Sequence, residues 1–280
     1  VVEMDLTIAI FGLAAAACWG AGDFCGGFAT KRNGVFIVAI ISQIVGITLL
    51  SVAAIVSGEN IPGNGDLLWG AASGLAGGIG LLTLYHALSV EKMGIVAPVT
   101  AVWSAFVPMS FGIIINGCPT PGQLTGFFFA FTGVWLISRE ENGPKIEWNR
   151  IRLPLIAGTG FGLFMIFIDQ VQSSGILWPL VGARMASIPA FIIAAIYIRQ
   201  TGIPHLRYLP VIALAGFLDT GGNVFYVLAA RTGRIDIAAI LTSLYPAVTV
   251  LLAWLLLKEK LKSRQWIGIF SVLVSVMLIT

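Results

Sequence analysis

Charge is what this sequence has least of. Lys and Arg number 16 and Asp and Glu 13, so charged residues make up 10% of the 280, where a soluble domain carries about 25%. With 58% hydrophobic residues and a mean hydropathy of +0.95, too few polar groups remain to cover a water-facing surface, which excludes an ordinary soluble fold. Cysteine is also scarce. Cys18, Cys25 and Cys118 show no CxxC or Cys/His spacing, so neither a disulfide framework nor a zinc site is expected, and the three read as thiols packed between helices. The two histidines, His86 and His205, have no second ligand at metal-binding spacing. GxxxxGK[ST], HExxH and GxSxG are all missing, so the sequence offers no nucleotide site, no cofactor and no enzymatic machinery. The start, VVEMDLTIAI, carries Glu3 and Asp5 and no basic run. Its first apolar stretch is therefore expected to be a retained helix rather than a cleaved signal.

What is abundant is glycine, 33 residues, together with apolar runs long enough to cross a bilayer, which takes about 20 residues each. Ten such runs are expected: 6–28, 35–57, 67–88, 94–116 and 122–138, then 153–171, 177–199, 208–230, 235–257 and 264–280. The longest polar stretch, Arg139 to Arg152, separates the fifth from the sixth. The fold class read from this is an all-α polytopic membrane protein, with membrane lipid rather than nucleic acid as its surroundings.

The two halves resemble each other. An offset of 142 positions pairs Thr100 with Thr242, Gln123 with Gln265, Gly126 with Gly268 and Phe128 with Phe270. The chain therefore divides into a five-helix repeat at 1–142, a linker at 143–152 and a second repeat at 153–280. Five is odd, so the second repeat must enter the membrane from the opposite side, giving two inverted repeats, a common plan of secondary transporters. Basic residues mark the orientation: thirteen fall on one set of connections and only Arg231 and Arg234 on the other. By the positive-inside rule the basic set is cytoplasmic and both termini lie outside an inner (plasma) membrane.

Three stretches near the C-terminus, AAILTSLYPA (238–247), LKEKL (257–261) and RQWIG (264–268), and the opening WGAGDF (19–24) resemble the EamA family of the drug/metabolite transporter superfamily. The first repeat departs from the family's usual turn at Asn116–Thr120. The resemblance implies ten helices in an inverted repeat and translocation of a solute through a central cavity.

Ionisable groups inside apolar helices are costly, about 2.5–3.5 kcal/mol each on insertion scales, so each needs a reason. Asp219 lies mid-span among Gly216, Gly221 and Gly222, with Asn223 one turn on. It either binds a cation or proton, or is paired to Arg184 or hydrogen-bonded to serines to hold the bundle. Asp23 is a second acid, a candidate proton carrier or an interfacial group. Asp169 and Arg184 lie toward the outer ends of successive helices, where an ion pair would be either a gate or a static tie, or the two are solvated separately at the interface. Gln43 corresponds to Arg184 within one residue of the offset and reads as packing. Among aromatics, Trp19, Tyr85, Trp103 and Tyr245 are candidate walls for a cation, and Trp103 matches Tyr245 under the offset.

Substrate contacts are thus expected from Asp219, Asn223, Tyr85, Trp103, Tyr245 and Trp19, and coupling or gating from Asp23, Asp169 and Arg184. The expected solute is a small amino acid-like metabolite or organic cation, moved by an ion gradient or exchange. Three acids against one Arg disfavour a sugar phosphate, which would need several cationic clamps. A duplicated chain holds both halves of the site, so a monomer is expected. The alternative from another class is a lipid-handling, flippase-like or non-transporting membrane subunit.

Overall fold

Glycine and alanine are frequent on the buried faces of these helices, and many large apolar side chains face outward. The computed structural model describes residues 6–90, 93–138, 148–200, 202–232, 235–257 and 263–279. The linker segment 143–147 and the Lys258–Lys262 turn lie outside them. In chain order the helices are α1 (Leu6–Thr30), α2 (Val35–Val56), α3 (Asn64–Val90), α4 (Met93–Asn116), α5 (Pro121–Ser138), α6 (Trp148–Asp169), α7 (Leu177–Tyr197), α8 (Leu209–Thr232), α9 (Ile235–Thr242), α10 (Tyr245–Leu257) and α11 (Ser263–Ile279). No strand occurs among the described residues. Residues 148–152, expected in the linker, form the first turn of α6.

α1 shows the rule. Its buried positions include Gly12, Ala15, Ala16, Gly20 and Gly26, while Leu6, Ile10 and Phe28 face outward. Lipid removes the hydrophobic drive that would bury large side chains, so close approach of backbones supplies the attraction instead. Gly74 of α3 is the clearest case, because a Cβ there would overlap the carbonyl of Ala183 on α7. Among the described residues six helices (α1, α2, α3, α6, α7 and α8) are long and apolar enough to cross a membrane by length and composition.

The packing is nearly two-fold. α1 packs on α8, and its repeat-equivalent pair, α6 on α3, packs likewise. α3 on α7 is matched by α8 on α2, and α4 on α6 by α9 and α10 on α1. Two helix pairs, α5 with α11 and α2 with α7, are their own equivalents and meet each other. At atomic level Ser271 Oγ donates to the carbonyl of Phe129, 142 positions earlier, at 2.8 Å. A residue touching its own repeat-equivalent lies on a local two-fold axis.

One expected helix is not continuous. The span 235–257 divides at Ser243–Leu244 into α9 and α10. Pro246 has no N–H to give the carbonyl of Thr242, and its ring crowds that carbonyl. The chain tightens instead, with Leu244 N–H donating to the Leu241 carbonyl at 3.3 Å and Ala247 N–H to the Leu244 carbonyl at 2.9 Å. Such breaks persist in a membrane helix where protein or a cavity, not lipid, surrounds them; Thr242 and Ser243 both line the cavity described next.

Candidate functional site

Where α1, α2, α3, α4, α6, α7, α8 and the α9–α10 break converge there is a cavity of about 60 Å³, room for about two water molecules. Arg184 anchors it. It enters from the third turn of α7 and is buried, at 8% exposed. Its Nη1 donates to Gln43 Oε1 at 2.6 Å and its Nη2 to Asp219 Oδ2 at 2.7 Å. Ser187, one turn further along α7, donates to the same Gln43 oxygen at 3.0 Å. The guanidinium reaches this far because Gly46 of α2 has no side chain; a Cβ there would crowd Thr220 Oγ1 and Arg184 Nε. Asp219 makes the pair with Arg184, one of the alternatives open for it. Gln43, read as packing, turns out to share the guanidinium.

Asp23 lines the same cavity from α1, with no hydrogen-bond or ion-pair partner among the described residues. Beside it Trp19 Nε1 donates to Asn223 Oδ1 at 3.2 Å, and the Trp19 ring stacks on Tyr226 with centroids 5.8 Å apart. Gly222 makes room for that indole, since a Cβ there would overlap it. Tyr245, the first residue of α10, lines the cavity and donates its hydroxyl to the Ala97 carbonyl at 3.4 Å. Thr249, one turn on, donates to the Gly20 carbonyl at 3.0 Å, which ties the break to the Trp19–Gly20 turn of α1. Six expected residues (Trp19, Asp23, Arg184, Asp219, Asn223 and Tyr245) therefore meet in one place.

Three do not line it. Tyr85 is 1% exposed, with its hydroxyl packed against Gly26, one turn along α1 from Asp23. Trp103 donates Nε1 to Thr159 Oγ1 at 2.8 Å and stacks on Phe106. Its helix runs unbroken through the level at which the second repeat breaks, so its ring is not turned inward as that of Tyr245 is. Asp169 does not reach Arg184; the basic side chain whose field it feels is Arg231.

Asp169 belongs instead to a polar cluster around the α6–α7 connection. Asp66 accepts the backbone N–H groups of Gln172 and Ser173 at 3.0 and 2.9 Å. Glu59 accepts those of Leu177 and Trp178 at 2.9 and 3.0 Å, satisfying the open N-terminus of α7. Arg231 donates to the carbonyls of Ser174 and Gly175 at 2.6 and 2.8 Å. Side chains of α3, α8 and the α2–α3 connection thus clamp one end of the bundle.

The sequence reading missed the cavity's other wall: Gly77 and Leu81 of α3, Phe161, Phe164 and Met165 of α6, and Thr242 and Ser243 at the break. The duplication held the signal. Under the 142 offset Trp19 corresponds to Phe161, Asp23 to Met165, Gly77 to Asp219 and Leu81 to Asn223, and all eight line the cavity.

A fold of two helical repeats around a shared cavity that holds charged side chains is the ground plan of many membrane transporters, and the family comparison supplies the class. The model of the EamA-like transporter family matches residues 6–139 and 151–280. The chain belongs to that family, within the drug/metabolite transporter superfamily, and is a multi-pass membrane protein. An uncharacterized protein of Methanocaldococcus jannaschii, MJ1333.1, is 25% identical over 130 residues, 46% of this chain and 95% of the relative. That relative matches about one repeat. A solved crystal structure superposes with a TM-score of 0.78 at 14% identity, covering 97% of each chain, a likeness of fold alone.

Proposed function

We propose that this protein is a secondary transporter that moves a small amino acid-like metabolite or organic cation by alternating access, coupled to protons or to exchange. The observation that carries this reading is a cavity between the two repeats, holding an Arg184–Asp219 pair and a second acid, Asp23, that has no partner among the described residues. Intramembrane acids facing an interior cavity rather than lipid are the usual mark of a solute or proton path. Asp23 is proposed as the proton-carrying group, and Asp219, Asn223, Trp19 and Tyr245 as solute contacts.

In this reading all ten helices span an inner membrane as inverted repeats, with both termini outside and the chain acting as a monomer. The outward large side chains of the remaining helices, such as Ile114 of α4, Phe128 of α5 and Phe270 of α11, support lipid contact along the whole set. The clamp by Glu59, Asp66 and Arg231 then sits at the outer end, where its bonds must yield for the cavity to open outward. The broken α9–α10 segment is a natural place for the cavity to widen, since discontinuous helices at a repeat interface commonly form such sites.

The test is a thermal-shift screen of metabolites and amines on the purified protein, with Asp219→Asn alongside. A solute that stabilises the parent in proportion to its concentration over its Kd, and not the variant, supports the reading. Full transport by a folded Asp219→Asn protein would overturn the assignment. Stabilisation by phospholipids only would favour the lipid-handling alternative.

A further inference from the structure

We infer that the solute is a monocationic amine with an apolar body, held with its ammonium at Asp23 and its body against α3 and α6. This rests on the transporter reading of the same cavity and narrows its substrate class.

A duplicated scaffold lines its cavity with two equivalent walls, and here the two have diverged in opposite directions. Because α1 packs on α8, Asp23, Asp219 and Asn223 share one wall. Because α3 packs on α6, their equivalents, Met165, Gly77 and Leu81, share the other. At each of these three paired positions a polar group faces an apolar side chain or none. The cavity therefore has a charged end and an apolar end, and it suits a molecule built the same way.

The charges set the sign of the head group. Arg184 has committed one terminal nitrogen to Gln43 and the other to Asp219, so its positive charge is already matched. Asp23 remains, a half-buried acid facing the cavity, which one positive charge opposite it would match. A proton supplies that charge in the empty cavity, and an ammonium supplies it when solute is bound. A zwitterion would add a carboxylate for which the described lining offers no cation besides the committed Arg184, and an anion would fare worse. Trp19 and Tyr245 support the same head group. Their polar tips are bonded to Asn223 and to the Ala97 carbonyl, so what they offer the cavity is ring, which attracts ammonium. At about 60 Å³ the cavity must widen to admit any such molecule, so the body is expected to displace side chains of the α3–α6 wall.

The test uses probes that share one apolar body: 2-phenylethylamine, phenylalanine, 2-phenylethanol and 3-phenylpropionate, with methylamine as the head group alone. Binding is read by thermal shift and transport by counterflow in proteoliposomes. The amine is expected to bind at least tenfold more tightly than the zwitterion, the alcohol, the acid and methylamine. Asp23→Asn should cut amine binding at least tenfold and remove its preference over the alcohol. Leu81→Ala should weaken 2-phenylethylamine several-fold and leave methylamine unchanged. Tighter binding of phenylalanine or the acid would overturn this inference while leaving the transporter reading in place. The same holds for an Asp23→Asn protein with parental amine affinity. If no solute of any charge binds or moves, both fail. The ranking of probes on the parent protein decides the matter even if a variant does not fold.

Discussion

Replacing Asp219 with Asn removes one charge of a buried pair and leaves the other. Arg184 and Asp219 lie 2.7 Å apart, with side chains 10% and 22% exposed. Stripping the partner from a fully buried ion typically costs 3–5 kcal/mol, because the survivor keeps its desolvation penalty without compensation. Two features reduce that figure. Asp219 is about a fifth exposed, and Gln43 still accepts from Nη1. A loss of about 2–3 kcal/mol is therefore expected, a fall of about 5–10 °C in thermal midpoint on the scale for domains of this size. Arg184→Gln should cost a similar amount by leaving Asp219 unmatched. The double variant, with neither charge, should recover most of the loss, since a neutral pair has no ion to solvate. The assay is a double-mutant cycle of midpoints in one detergent, repeated with Asp23→Asn to detect Arg184 swinging across the cavity. Additivity of the two single effects within about 0.5 kcal/mol would show that the two side chains are not coupled, and would refute the site's geometry.

Other consequences can be checked separately. Asp66→Asn weakens two charge-assisted bonds to the α6–α7 connection, so amide exchange at residues 172–178 should quicken about tenfold while α1 and α8 stay protected; unchanged exchange would remove the clamp. Pro246→Ala supplies the N–H that Thr242 lacks and should allow a continuous helix through 235–257. Transport should fall while the thermal midpoint holds or rises, and an active variant would show that the break is dispensable. Cys118 is exposed, whereas Cys18 and Cys25 are partly buried within α1. A membrane-impermeant maleimide added to intact cells should label Cys118 alone, and protection until the cells are opened would reverse the proposed orientation.

Much of the fold was legible because its cause is compositional. Apolar runs between polar breaks mark helices without any knowledge of packing, and the 142-residue offset shows the duplication directly. The break in the second repeat was legible only as a proline, because whether Pro246 bends or divides its helix depends on what surrounds the freed carbonyl. The charged half of the site stood out because an acid or Arg in an apolar helix needs a reason. Its apolar half had no such mark: Gly77 and Met165 resemble dozens of lipid-facing or packing residues until the offset sets them opposite Asp219 and Asp23. The same offset misled at Trp103, since equivalence in a diverged duplication carries over position along a helix but not the direction a ring faces once one copy is broken. Arg184 was placed toward a helix end, near Asp169, because its distance from the end of α7 says nothing about which neighbour its long side chain can reach across Gly46.

The central claim is that solute passes through the cavity that Asp23, Arg184 and Asp219 share. Counterflow of a labelled solute, chosen by the thermal-shift screen, into proteoliposomes preloaded with the unlabelled form tests it most directly. The parent protein is expected to accumulate label transiently, and Asp219→Asn, reconstituted to the same density and shown to be folded, is expected to fall to the level of empty vesicles. Equal accumulation by the two proteins would contradict the account.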